Sequence, residues 1–180
     1  MSSQGGNVDI TVRQALASDR SRIAKFNRSA AKNKAKKILI NELQKTREYV
    51  KELFLVAEAD KTIVGYLLFY PVYIVSRQTK YKTLSLVEMS IHPDYENEGV
   101  YEKLLEEGIE SSKTMGFFSI VISNASVEYA QFGFKPASRY QLRQPLTKSG
   151  TSFMALELVP GALKDIPGKI EYPKVYNLAS

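Results

Sequence analysis

The stretch Ile91 to Leu105, IHPDYENEGVYEKLL, decides how the rest of the chain is read. An apolar run, Thr83 to Ile91, stops at His92-Pro93 and a short turn follows. From Gly99 to Met115 apolar side chains then recur at Val100, Leu104, Leu105 and Ile109, the period of one helix face. Gly116 stands where a helix-terminating glycine is expected. A strand that passes through a turn into a helix leaves the first helical N–H groups without intrahelical partners. It also directs the positive end of the helix dipole outward, and together these hold phosphate groups.

Working outward, Val8 to Ala15 alternates at Ile10 and Val12 and reads as a strand, after which Ser18 suits the N-cap of a helix with Ile23 and Phe26 inward. The lysine-rich RSAAKNKAKK follows, and a second helix is expected to carry Leu39, Leu43, Val50 and Leu53. Leu53 to Ala59, a turn at Asp60-Lys61, and Thr62 to Ser76 read as a hairpin. Downstream of the opening stretch, Phe117 to Ile122 is a strand apolar enough to be buried on both faces. A short helix over Val127 to Gln131, the FGFKP segment and a strand over Ser152 to Val159 come next. The tail LVPGALKDIPGKIEYPKVY, with its Pro-Gly turns, is expected to lie extended over the body. The order predicts an α/β (α+β) fold in one domain over residues 8–180, with residues 1–7 as a disordered tail. Its mixed, mostly antiparallel sheet carries helices on both faces.

Composition narrows the chemistry. The 180 residues suit one domain, and 44% apolar with 24% charged residues give enough material for a core. The absence of cysteine excludes disulfides, thiolate nucleophiles and zinc knuckles, and a single histidine excludes a multi-histidine metal site, so no metal is expected. The N-terminus lacks the apolar run of a signal peptide, and Ile63 to Val75 is too short to cross a bilayer. A cytoplasmic protein without a membrane partner is expected. The net charge of +6 conceals two poles: residues 20–37 hold eight Lys or Arg and no acid, whereas residues 94–110 hold seven carboxylates against Lys103. Both suit solvated helix faces. Direct nucleic-acid binding is not expected, because Phe26 is the only aromatic in the basic run and its place is the core.

The opening stretch resembles the acetyl-CoA loop of the GNAT superfamily of N-acetyltransferases, in which an apolar-Ala-Val-x-Pro strand precedes Tyr-Gln-Gly-Lys-Gly-Ile-Gly. The frame here is Met89-Ser90-Ile91-His92-Pro93, then Tyr95-Glu96-Asn97-Glu98-Gly99-Val100-Tyr101. EYAQFGFKPAS resembles the family's tyrosine and following Gly-Phe. FMALELVPGAL, with its late Tyr-Pro, is similar to a bacterial branch bearing a C-terminal extension, here 160–180. The resemblance implies acetyl transfer from acetyl-CoA to a small-molecule or protein amine by direct attack, and allows a homodimer. It implies Met89, Ser90, Ile91, Glu98, Gly99, Val100, Tyr101 and Asn124 as cofactor contacts and Tyr129 as the general acid. Glu88 interrupts the strand Leu84 to Ile91. A buried, unpaired carboxylate there costs several kcal/mol, so Glu88 reads either as a general base or as a residue on an open face. His92 ranks below it and reads as structural. Tyr66, Phe69, Tyr70 and Tyr73 read as core aromatics or as the lining of an acceptor pocket.

Of the three marked loop positions only Gly99 is kept. Glu96 and Glu98 stand beside the turn with Glu102 just behind, and Tyr101 replaces a small residue. A carboxylate about 5 Å from a phosphate charge repels it by about 3 kcal/mol at an effective dielectric of about 20, and by under about 1 kcal/mol in water. Two readings follow. One is an enzyme that holds acetyl-CoA chiefly along Met89 to Ile91. The other is a non-catalytic binding or regulatory protein on the same fold that has lost normal CoA binding. The basic run, Arg20 to Lys37, is compatible with the enzyme reading, its lysines reaching toward the 3′-phosphate of CoA or an acidic acceptor.

Overall fold

The structure, a computed structural model, describes residues 8–30, 34–145 and 152–179. The expected tail, residues 1–7, lies outside them. The elements are β1 (Ile10–Gln14), α1 (Arg20–Ala30), α2 (Lys34–Leu43), β2 (Phe54–Ala59), β3 (Thr62–Ser76) and β4 (Thr79–Ile91), then α3 (Val100–Thr114) and β5 (Ser119–Ser123). Short strands β6 (Lys135–Pro136), β7 (Leu142–Arg143), β8 (Phe153–Glu157) and β9 (Gly168–Glu171) complete one sheet. Its main path runs β1-β2-β3-β4-β5-β8-β6, with β9 on β3 and β7 on β9. Pairing is antiparallel except for β4 with β5 and β7 with β9.

Strict alternation sorts the strand residues onto two faces. Phe54, Val56, Tyr66, Leu68, Tyr70 and Val72 pack with Phe26 of α1 and Leu39, Ile40 and Leu43 of α2. Leu55, Ala57, Leu67 and Phe69 pack with Val100, Leu104 and Leu105 of α3. Two register shifts interrupt the alternation. One opposes Ala57–Glu58 of β2 to Gly65 and Ile63, with Val64 extra. The other opposes Leu68–Phe69 of β3 to Glu88 and Leu86, with Val87 extra. A bulge of this kind bends the strand and sharpens its twist.

Helix α3 comes very near the sheet because its inner stripe runs through Gly108 and Ser112 as well as the larger residues. A Cβ on Gly108 would lie 2.8 Å from the Phe69 ring. Gly65 does the same for the first turn, since a Cβ there would lie 3.0 Å from Val100. The tight approach sets the position of the helix's N-terminus against β3 and β4.

Four expectations need correction. Helix α2 ends at Leu43, so Val50 and Leu53 do not lie on it. Thr46 Oγ1 donates to the Leu43 carbonyl at 2.7 Å and closes the helix, and Leu53 packs on the opposite face of the sheet from Leu39 and Leu43. Ser18 lies inside a single 3-10 turn, Ala17–Asp19, and it is the Asp19 carboxylate that accepts from the Leu16 N–H at 2.9 Å. The tail is not merely extended: β9 pairs Tyr73, Ile74 and Val75 with Glu171, Ile170 and Lys169. The fourth strand also begins earlier than expected, at Thr79. Gly116, with φ +79°, ends α3 as anticipated.

Candidate active site

Strands β4 and β5 share only two register pairs, Leu84–Ile120 and Ser85–Val121. Past these, β5 remains fully paired with β8, while β4 runs on to Ile91 beside β3 alone. The bulge at Val87 lies just beyond the last shared pair. A wedge therefore opens between two neighbouring strands in the middle of the sheet. Exposure follows it: Leu84 and Ser85 are buried, whereas Leu86 and Glu88 through Ile91 are only half-buried.

The wedge widens toward the start of α3. Gly99 is the helix N-cap at φ +72°, in the left-handed region where a Cβ is costly, and the space around its Cα is open. Among the described residues, no side chain or carbonyl accepts from the N–H groups of Gly99, Val100, Tyr101 or Glu102. Glu96 and Glu98 are exposed and do not cap these amides. Asn124, exposed at φ +54°, follows β5 on the opposite bank of the wedge.

Along β4 the pairing fixes which way each side chain points. Met89 and Ile91 pair with Leu67 and Gly65 and pack on the α3 face. Glu88 and Ser90 pair with Leu68 and Tyr66 on the other face. Glu88 is 20% exposed, and its Oε2 lies 2.7 Å from the Nζ of Lys36 on α2. The same Nζ donates to the Val87 carbonyl at 3.3 Å. Paired, half-open Glu88 thus avoids the cost of an isolated buried charge. His92 acts locally, accepting at Nδ1 from the Asp94 N–H at 3.3 Å, with its ring 6.1 Å from Phe26 and 5.9 Å from Tyr95.

Tyr129 comes from a single 3-10 helix, Val127–Phe132, that ends at Gly133 in the left-handed region. It is 8% exposed, and its ring lies 5.7 Å from Phe134 and 5.7 Å from Tyr101. The bulk of Tyr101 is thus committed to Tyr129 and to Phe132, 5.8 Å away. The Tyr101 hydroxyl is buried without a well-formed hydrogen bond among the described residues. Burial pushes both phenols up, and for Tyr101 the neighbouring Tyr129 adds to the rise. For Tyr129 the contact with Tyr101 works the other way, while the charges of Glu128 and Glu88 push further up.

Of the core aromatics, Tyr66, Phe69 and Tyr70 are fully buried and serve packing. Two contributors escaped the sequence reading. Lys36 is one of eight cations in its run, and nothing in the residues marks it apart. Tyr172, just before the tail's last proline, is carried back by β9 so that its hydroxyl lies 3.1 Å from Ser123 Oγ at the end of β5. A cleft of about 1020 Å³ lies elsewhere, between Gln14, Arg20, Lys37, Asn41, Tyr49 and Phe54. An open wedge in a sheet is not an enclosed cavity, so the two need not coincide. Among the described residues, no group of three or more His, Cys, Asp or Glu side chains is placed to hold a metal, and no helix is long and apolar enough to cross a membrane.

Comparison with known proteins supplies the remaining findings. The sequence model of the acetyltransferase (GNAT) family matches residues 21–134. The chain is 26% identical over 126 residues to YhbS of Escherichia coli strain K12, an uncharacterised N-acetyltransferase, covering 69% of this chain and 74% of that one. Among solved structures, the E. coli GNAT family N-acetyltransferase YhbS in complex with CoA superposes with a TM-score of 0.83 at 23% identity, over 97% of this chain and 95% of that chain. A GNAT family acetyltransferase of Brucella melitensis in complex with acetyl-CoA gives 0.71 at 22% identity, over 93% and 98% of the two chains.

Proposed function

The chain belongs to the acetyltransferase (GNAT) family, and from that premise we propose that it moves an acetyl group from acetyl-CoA to an amine by direct attack. The observation that carries this reading is the wedge between β4 and β5, opening onto an uncapped helix start. The residues present fit the cofactor. Amides at Gly99, Val100 and Tyr101 are free of partners among the described residues, and open space at Gly99 lets a diphosphate reach them. Backbone groups of Met89 to Ile91, left unpaired on the β5 side, suit an extended amide-bearing arm. Asn124 faces them across the wedge.

Acetyl-CoA, when bound, supplies an acyl group already activated as a thioester. The protein's part is orientation and proton traffic. A β4 N–H donates to the carbonyl oxygen as charge gathers there. Glu88, on the α1–α2 face, receives the proton that the incoming ammonium must lose before it can attack. Tyr129, held protonated by burial and by nearby acids, donates a hydrogen bond to the departing sulfur. The acceptor is a small-molecule or protein amine that approaches over α1 and α2.

The acids beside the turn favour a second reading, a binding protein that no longer takes CoA. Against it, Glu96 and Glu98 are exposed and leave the helix amides unanswered. Calorimetric titration with acetyl-CoA separates the two. Saturable heat with one site per chain supports the enzyme, and no heat at millimolar ligand refutes it.

A further inference from the structure

We propose that Lys36 is an acetyl acceptor within its own chain. The inference rests on the reading of the β4–β5 wedge as the acetyl-CoA site. Its own observation is different: a primary amine already occupies the place an acceptor must take. Lys36 Nζ lies 2.7 Å from Glu88 Oε2 and 3.3 Å from the Val87 carbonyl, at the bulge where β4 leaves β5. Among the described side chains of the run, three other cations lie elsewhere. Arg22 bridges Asp19 and Glu58 at 2.8 and 2.6 Å, and Arg20 and Lys37 line the large cleft beside α1 and α2. Among the described residues of the basic run, Lys36 is the one that reaches β4.

The arrangement matches what an external amine would need. The ammonium sits on the assigned base, on the α1–α2 face of β4, with the α3 turn on the other side. The half-exposed pair, 41% for Lys36 and 20% for Glu88, leaves the Nζ room to move along the strand. In the step itself, Glu88 takes one proton from the Lys36 ammonium. The freed nitrogen lone pair attacks the thioester carbon, the N–C bond forms, the nitrogen gives up its second proton to solvent and the C–S bond breaks. Sulfur leaves with the bonding electrons as a thiolate that accepts a hydrogen bond from the Tyr129 hydroxyl and takes its proton from solvent. The products are N6-acetyllysine and free CoA, with no oxidant or reductant involved. Acetylation removes the charge that holds Lys36 on Glu88 and clears the carboxylate for an external amine.

The test uses the full chain, incubated with isotope-labelled acetyl-CoA and followed by peptide mass spectrometry, with a calorimetric titration of free CoA on the same preparation. Label should accumulate at Lys36 at least about tenfold faster than at exposed Lys164, with a first-order rate independent of protein concentration. Glu88→Gln and Tyr129→Phe should each slow labelling of Lys36 by about tenfold or more while leaving Lys164 unchanged. Lys36→Arg should leave that peptide unlabelled. CoA binding with Lys36 labelled no faster than Lys164, or at a rate that rises with protein concentration, overturns this inference and leaves the proposed function standing. Absence of CoA binding removes both.

Discussion

At Tyr129, burial and catalysis pull in different directions. Burial raises its pKa above the ordinary phenol value, and the charges of Glu128 and Glu88 raise it further. A thiol titrates at about 8.5, so a thiolate does not strip the proton from such a phenol outright. In the proposed reaction its contribution is a hydrogen bond to sulfur that strengthens as the C–S bond breaks. Tyr129→Phe is expected to lower kcat by about a hundredfold with little change in the KM for acetyl-CoA, as steady-state kinetics will read. Asp19 offers a test of the scaffold. Arg13 donates to both its oxygens, at 2.6 and 3.0 Å, and holds the carboxyl at about 2 against an ordinary 3.8. Because the folded value is depressed, the stabilisation is full above about pH 4 and disappears as pH falls toward 2. Asp19→Asn should therefore cost about 2 kcal/mol at pH 7 in urea denaturation, and the gap to the parent protein should close between pH 4 and 2. Tyr129 stands out as a candidate in the sequence because a Gly-Phe pair follows it. Lys36 does not, since its place against Glu88 depends on how α2 crosses β4.

Among the elements, α3 and the turn before it were the most legible, because periodicity, an N-terminal glycine and a terminating glycine agree. The same periodicity misled at α2. Val50 and Leu53 continue its spacing by coincidence, but Thr46 closes the helix and they pack beneath the opposite face. The turn's acids lie in solvent and do not cap the helix. On the proposed reading they act on the CoA diphosphate through screened water, so their cost is modest and salt-dependent. Replacing both, Glu96→Gln with Glu98→Gln, should tighten CoA binding by about tenfold at low salt and by less at high salt. Strand β9 escaped notice because four residues between prolines carry little pattern. Its contact with β3 is intimate, since a Cβ on Gly168 would lie 2.4 Å from the Val75 carbonyl. Gly168→Ala should cost about 1–3 kcal/mol, read from chemical denaturation, and raise amide exchange in β9.

For the molecule as a whole, the layers follow from sequence, because a strand apolar over most of its length, such as β3, demands cover on both faces. The two side-chain clusters, one under α1 and α2 and the other under α3, meet that demand. The wedge was not legible. It arises where one bulge bends β4 and where β8 holds β5, and neither competition is written in local spacing. The charge poles divide as solvated faces for α3, whose Glu106, Glu107 and Glu110 are exposed. On the basic side, Arg22 and Lys36 are drawn into ion pairs with Glu58 and Glu88. A crystal structure grown with excess CoA tests the central claim most directly. The account predicts diphosphate oxygens within hydrogen-bonding distance of the Val100 and Tyr101 N–H groups, with the pantetheine arm lying along Met89 to Ile91 between β4 and β5. CoA seated elsewhere, or absent with the α3 amides bound to neighbouring carboxylates, would contradict it.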